Sequence, residues 1–355
     1  MFPLRYIYVV IAFVAAAFIS FLLTPVVKSF AQKVGAIDVP TDSRRMHKKP
    51  IPRLGGLAIF FGFFFTALLM VDLTTQMRAI LIGGVIILVL GIFDDIYRLD
   101  AMPKFIVQIV AALIPALSGV EINFFSNINL FSNNPYLNLG VLTVPITVFW
   151  IVGITNAVNF VDGLDGLACG VSSIACFSLL CIALILGERD VEILTAALAG
   201  ACIGFLPYNL NPAKIFMGDT GSTFLGYILA IISIQGLFKF YALVSFAVPF
   251  LILGLPIFDT AFAILRRIAS GRSPMSPDRS HLHHRLIDMG FSQKQTVAII
   301  YSVSIVCGIS AVLLTQTGTT KAVLIVCTAL VVFLVAARMY HENSKSSEKA
   351  DNEKN

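Results

Sequence analysis

The sequence predicts an all-α polytopic membrane protein of about eleven transmembrane helices, N-terminus outside and C-terminus cytoplasmic. Three observations predict it. Of 355 residues, 57% are hydrophobic and 13% charged, about half the charged share of a soluble domain, and the mean hydropathy is +0.89. Apolar runs able to cross a hydrocarbon core of about 30 Å, at roughly 20 residues each, recur from end to end. Lys and Arg divide unequally between alternate connections, which orients the chain.

The runs fall near 6–27, 54–72, 78–93, 104–119, 141–158, 166–186, 192–208, 220–237, 242–265, 294–315 and 320–338. They never pause long enough for a soluble unit, so a single membrane domain is expected over 1–340, followed by a polar, disordered cytoplasmic tail over 341–355. The first run has the length of a full span and is read as a retained helix, not a cleaved signal peptide. The outer connection 119–140 has no Lys or Arg and suits a short hairpin. No internal repeat is visible.

Of the 25 Lys and Arg, 20 lie in one set of connections and 5 in the other (Arg5, Arg78, Arg189, Lys239 and Lys321). The richer set is read as cytoplasmic. The six Cys all lie in apolar runs without a C-x-x-C pair, which argues for packing over a zinc site or disulfide frame.

The polar residues that could carry chemistry gather on the cytoplasmic side. Asp94 and Asp95 end the third run; Asn156, Asn159, Asp162 and Asp165 end the fifth. Asn209, Asn211 and Asp219 join the seventh to the eighth, and His281, His283 and His284 follow the ninth. A lone interfacial Asp merely stops a helix, but five on one face among Asn and Gly point to a site. Adjacent Asp94 and Asp95 project about 100° apart on a helix and so have different jobs. Asp162 and Asp165 would share a face if their helix continued. Asp219 lies in a Gly-rich turn opening a helix, a corner suited to phosphate or metal-phosphate. Hard oxygen ligands favour Mg²⁺, with Mn²⁺ as a substitute. The basic loops 44–53 and 266–285 carry charge able to neutralise a diphosphate, beside their topological role. His281-Leu-His283-His284 lacks a further ligand type for zinc and is read as binding sugar or phosphate, or as shaping the loop.

These residues fall into five ordered motifs. They are Asp38-Val-Pro40 with Arg44 to Gly56; Gly91-Ile-Phe-Asp94-Asp95; Asn156-Ala-Val-Asn159-Phe-Val-Asp162-Gly-Leu-Asp165-Gly; Asn211 to Ser222; and Ser276-Pro-Asp-Arg279-Ser-His281-Leu-His283-His284-Arg285. In them the chain resembles the polyprenyl-phosphate N-acetylhexosamine-1-phosphate transferases over nearly its whole length. The resemblance implies attack of a polyprenyl phosphate on a UDP-N-acetylhexosamine, giving a polyprenyl diphosphate sugar and UMP, with Mg²⁺ required. It implies Asp219 as the leading magnesium ligand, with Asp95 beside it. It puts Asp94 and Asp95 at the lipid phosphate and metal, and Asn159 and Asp162 at the reaction centre. Asp165, Asn209 and Phe216 fall on the uridine side, the Phe216 ring stacking on uracil. His47, Lys48, Lys49, Arg279, His281, His283, His284 and Arg285 fall among the substrate-binding residues. A phosphate monoester is largely dianionic at pH 7, so positioning and metal charge are expected to outweigh a general base.

H-L-H-H after Pro-Asp-Arg, together with the eleventh span and cytoplasmic tail, resembles the N-acetylglucosamine-1-phosphate branch. The muramyl-pentapeptide branch, which reads H-H-H with ten spans, is the alternative. The expected partners are undecaprenyl phosphate, a UDP-N-acetylhexosamine, membrane lipid and a second copy of the chain; nucleic acid is not among them. The expected location is the bacterial plasma membrane, site inward. A cation-coupled transporter is the rival of a different class, but its acids would lie near the midplane in repeated halves.

Overall fold

The computed structural model describes residues 2–40, 49–126, 136–236, 243–271 and 281–315. The described chain is almost wholly helical. Its helices are α1 (Phe2–Lys33), α2 (Gly56–Met70), α3 (Thr75–Tyr97), α4 (Ala101–Leu117), α5 (Thr143–Val161), α6 (Leu167–Leu186), α7 (Arg189–Asn209), α8 (Gly218–Gly236), α9 (Leu243–Ile252), α10 (Gly254–Ala269), α11 (Leu282–Asp288) and α12 (Gln293–Leu314). Two small antiparallel ribbons complete it. β1 (Ile37–Asp38) pairs with β2 (Ile51–Pro52), and β3 (Phe124–Ser126) pairs with β4 (Tyr136–Asn138). The second ribbon is the hairpin expected between 119 and 140.

Six stretches are long and apolar enough to cross a membrane: Leu4–Lys33, Thr75–Tyr97, Gly140–Val161, Leu167–Leu186, Arg189–Asn209 and Gln293–Leu314. Gly56–Met70 and Ala101–Leu117 are apolar but shorter. The chain is therefore an all-α membrane protein, and among the described residues six helices meet that length and composition. The helix expected over 320–338 and the tail over 341–355 lie outside the described residues.

The expected single run 242–265 is two helices, parted at Leu253. α10 buries Gly254, Pro256, Ala263 and Arg267 while Phe258, Phe262, Leu265 and Ile268 are exposed. That pattern turns one apolar face outward, which in a bilayer meets lipid at no hydrophobic cost. Helix α5 ends at Val161, so Asp162 is a C-cap residue and does not share a helical face with Asp165.

Helix α8 is the hub, buried along nearly all its length and packed by α3 and α5, with α2 and α6 also against it. Small residues make this possible, because lipid supplies no hydrophobic drive between helices and close backbone approach must do so. A Cβ on Gly56 would overlap the backbone of Gly221, and one on Gly91 the backbone of Thr220. On the other side α1 lies along α7 at Gly200 and Gly204, where a Cβ would overlap the carbonyls of Phe13 and Ala17. The far end of that pair is clamped by Arg5, whose Nε donates to the fully buried Glu192 at 2.8 Å. These approaches bring the C-terminal ends of α3, α5 and α7 beside the N-terminal ends of α2, α4, α6 and α8, at one end of the bundle.

Candidate active site

The centre forms where three backbone hydrogen bonds strap one loop to another. Phe216 N–H donates to the Pro52 carbonyl at 2.8 Å, and Gly55 and Gly56 N–H donate to the Phe216 and Met217 carbonyls, each at 2.9 Å. Within this strap Leu54 is fully buried at φ +80°, an uncommon conformation for a branched side chain. The strap carries Arg53 over the first turn of α8 and leaves the Phe216 ring partly exposed.

Asp94 and Asp95, as their angular offset requires, do different things. Asp95 turns into the protein and is fully buried. Its Oδ1 accepts from Asp219 N–H at 3.0 Å and its Oδ2 from Thr220 N–H at 3.0 Å and Thr220 Oγ at 2.7 Å. Arg53 Nε stands 3.1 Å from Oδ1. A carboxylate has about four acceptor positions, and all are taken. Asp95 is thus an anionic cap on the positive end of α8, and Gly218 (φ +72°) is the turn residue whose Cβ would collide with it.

Asp94 is buried too, but turns toward α4 and Asp219. Its Oδ1 accepts from Leu99 N–H at 2.8 Å, and its Oδ2 from the Lys104 ammonium at 2.7 Å. Lys104 also reaches Asp219 Oδ2 at 3.4 Å, as does Asn159 Nδ2, while Arg53 Nη2 lies 3.5 Å from Asp219 Oδ1. Asp219 is therefore ringed at long range by Lys104, Asn159 and Arg53, with the Asp94 carboxyl against it. Ser222 Oγ donates to Asn159 Oδ1 at 2.9 Å, which turns the amide group toward Asp219. Partly buried Asp162 completes the group; burial, then the Asp219 carboxylate, pushes its carboxyl up to about 7 against the pull of Arg53.

A second group ties the 162–166 turn to the 209–216 loop. Asp165 Oδ2 accepts from Asn211 Nδ2 at 2.9 Å and Ala213 N–H at 3.0 Å. Asn209 accepts from Gly166 N–H at 3.1 Å and donates to the Ile215 carbonyl at 3.1 Å. Asn211 also donates to Gln293 Oε1 at the start of α12, at 2.8 Å. Asp165 and Asn209 are thus brought together beside Phe216, and their side chains shape the loop that presents its ring.

A third group comes from α11. His281 is its N-cap, and His283 is buried with its ring against Gly163, where a Cβ would overlap it. Burial and the neighbouring His284 push His283 down to about 3, so it is neutral. The His281 and His283 rings lie parallel, their centroids 5.9 Å apart. His284 and Arg285 are half-buried and Lys49 is exposed; His47, Lys48 and Arg279 lie outside the described residues.

Three contributors escaped the sequence reading as individuals: Arg53, Lys104 and Asp259. The first two lay among basic residues counted for topology. Asp259, which accepts from His281, lay inside an apolar run, where an ionisable residue is itself a signal.

Chemically, among the described residues Asp94, Asp95 and Asp219 face Arg53 and Lys104 as cations. The described part of the pocket is net negative, the wrong sign for a diphosphate unless a cation joins it. Among the described residues no three or more His, Cys, Asp or Glu form a ready-made cage. Such a donor set suits a hard dication that takes one or two carboxylates and completes its shell with water and phosphate.

The sequence profile of the family described as "Glycosyl transferase family 4" matches residues 77–237. The chain is 45% identical over 315 residues to a Bacillus subtilis protein named probable undecaprenyl-phosphate N-acetylglucosaminyl 1-phosphate transferase, covering 87% of this chain and 86% of that one. It is 36% identical over 327 residues to a decaprenyl-phosphate N-acetylglucosaminephosphotransferase of Mycolicibacterium smegmatis, covering 81% and 77% of the two chains. A phospho-N-acetylmuramoyl-pentapeptide-transferase of Staphylococcus aureus is 30% identical over 327 residues, covering 86% and 97%.

Proposed function

The chain belongs to glycosyl transferase family 4, the superfamily of polyprenyl-phosphate N-acetylhexosamine-1-phosphate transferases, and from that premise we propose that it transfers N-acetylglucosamine-1-phosphate from UDP-N-acetylglucosamine to undecaprenyl phosphate, releasing UMP. The product would start a cell-envelope polysaccharide of teichoic-acid or O-antigen type. The reaction would take place on the cytoplasmic face of the bacterial plasma membrane, about eleven spans placing the N-terminus outside. The observation that carries the reading is Asp219, ringed at 3.4–3.5 Å by Arg53, Lys104 and Asn159 in a net-negative pocket.

Asp219 and Asp94 would hold Mg²⁺, and Asp95, with its acceptor positions filled, would fix the α8 turn on which Asp219 sits. Magnesium, when bound, supplies charge to the donor diphosphate and to the developing UMP. Lys104 and Arg53 sit on either side of Asp219 and are placed to exchange part of their carboxylate contacts for phosphate oxygens, a trade in which Arg offers two parallel donors. Asn159, oriented by Ser222, would hold the acceptor phosphate in line. That phosphate is largely dianionic at pH 7, so the attack needs little proton transfer and the protein's contribution is positioning. Phe216 offers its ring to uracil, with Asp165 and Asn209 setting the loop beneath it. The H-L-H-H sequence and the two N-acetylglucosamine-named relatives favour that donor over a muramyl pentapeptide. Acids at one end of the bundle, not at its middle, disfavour a transporter.

The test is release of UMP by detergent-purified protein given undecaprenyl phosphate and UDP-N-acetylglucosamine, with and without a chelator. Release that stops on chelation is the expected result; folded protein that releases none overturns the reading.

A further inference from the structure

Asp259 stands in the second turn of α10 and is nearly buried, as is the His281 it faces: each side chain is 9% exposed. Its two oxygens are divided between two jobs. Oδ2 lies 2.9 Å from His281 Nδ1, and Oδ1 accepts from Leu282 N–H at 2.8 Å. A carboxylate accepts only, so the His281 nitrogen facing it carries a proton. That leaves Nε2 as the ring atom free to engage a ligand. The second bond pins the first residue of α11 to α10, and a tilted contact of His281 with Phe160 (centroids 5.8 Å apart) closes the other side. Phe160 is the residue after Asn159, and His283, stacked on His281, presses on Gly163 beside Asp162. One carboxylate on a helix outside the acid cluster therefore governs both the protonation pattern of His281 and the seating of the histidine segment against the reaction centre.

We propose that Asp259 is a positioning residue of this enzyme: it holds His281 with Nδ1 protonated, so that Nε2 meets the sugar-phosphate half of the donor. A histidine that works through one ring nitrogen commonly has the other fixed by a carboxylate, which sets both tautomer and ring orientation. The proposal rests on the phosphosugar transferase reading, because His281 must meet the donor for its tautomer to matter.

Asp259→Asn separates the two jobs. The amide oxygen can still accept from Leu282 N–H, while the amide nitrogen, a donor, faces His281 Nδ1 and forces the proton to Nε2. The variant should keep the wild-type melting temperature and the KM for undecaprenyl phosphate. Its kcat/KM for UDP-N-acetylglucosamine should fall about 10- to 100-fold, the usual cost of losing the carboxylate behind a working histidine. In a His281→Ala background the same substitution should cost nothing further. An equal cost in both backgrounds assigns Asp259 to anchoring α11 alone and overturns the proposal. Nitrogen-15 shifts of histidine-labelled protein, with His281→Gln to assign the signal, give a readout independent of turnover. Wild type should show His281 Nδ1 protonated, and a deprotonated Nδ1 overturns the proposal whether or not Asp259→Asn folds. If wild type releases no UMP, the reading of the reaction fails, and the nitrogen shifts still decide the Asp259–His281 pairing.

Discussion

Asp95→Asn removes one negative charge and turns one acceptor into a donor, at a position where every neighbour donates. Whichever way the amide lies, its nitrogen meets either Asp219 N–H with Arg53, or Thr220 N–H with its hydroxyl. About two hydrogen bonds to a charged group are lost, at roughly 1.5–3 kcal/mol each, so the cost is about 3–6 kcal/mol. With an unfolding entropy of about 2.1 cal/mol/K per residue, a chain of this length has close to 0.75 kcal/mol/K, and the apparent melting temperature should fall by about 4–8 °C. Asp94→Asn is the control. Its oxygen can still accept from Leu99 N–H, and it gives up one charge-assisted contact, to Lys104, at about 1.5–3 kcal/mol. That variant should lose activity with about half the shift in melting, about 2–4 °C. The assay is thermal unfolding of both variants in detergent, beside UMP release. Melting of Asp95→Asn within about 1 °C of wild type, or equal shifts in the two variants, would refute the assignment of Asp95 as the cap of α8.

Asp219→Asn should lower UMP release by about a thousandfold or more and abolish its response to magnesium, since electrostatic groups at such centres carry effects of that order; a magnesium titration checks it, and normal turnover removes Asp219 from the metal site. Phe216→Ala should raise the KM for the UDP-sugar about tenfold or more and leave that for the lipid alone; equal rises in initial-rate kinetics count against ring stacking. Asp162, held up at about 7, is favoured in its protonated form by the fold. Its contribution to stability is complete below the unfolded value of about 3.9 and is lost as pH rises through 7. Melting of metal-free protein should therefore decline over that range, and Asp162→Asn should flatten the decline; an unchanged slope contradicts the shift. Gly163→Ala puts a methyl group into the His283 ring and should slow turnover at least tenfold, far more than Gly153→Ala on open surface; equal rates would separate the histidine segment from the site.

The acids and amides at helix ends were legible because a membrane makes such residues conspicuous, and the charge bias gathered them on one face before any coordinates. The 119–140 hairpin was legible from its length and composition. The break at Leu253 was not. Leu243 to Leu265 is apolar except for Ser245, Asp259 and Thr260, and hydropathy does not see that α10 turns its face outward around Gly254 and Pro256. The same averaging hid Asp259. Adjacency fixes the angle between Asp94 and Asp95, but only the packing of Gly91 against the Thr220 backbone, and of Gly218 against the Asp95 carboxylate, decides which of them lies under α8. Arg53 became a site residue through backbone bonds from Phe216, Gly55 and Gly56 that join segments over 160 residues apart.

A donor comparison with the product identified on the lipid tests the central claim most directly. Purified protein with undecaprenyl phosphate and magnesium would be given UDP-N-acetylglucosamine, UDP-N-acetylgalactosamine or UDP-N-acetylmuramoyl-pentapeptide in turn. The account predicts UMP and undecaprenyl diphosphate N-acetylglucosamine from the first donor, at a rate well above the other two. Turnover confined to the muramoyl pentapeptide, or no lipid-linked sugar from any donor with folded protein, would contradict it.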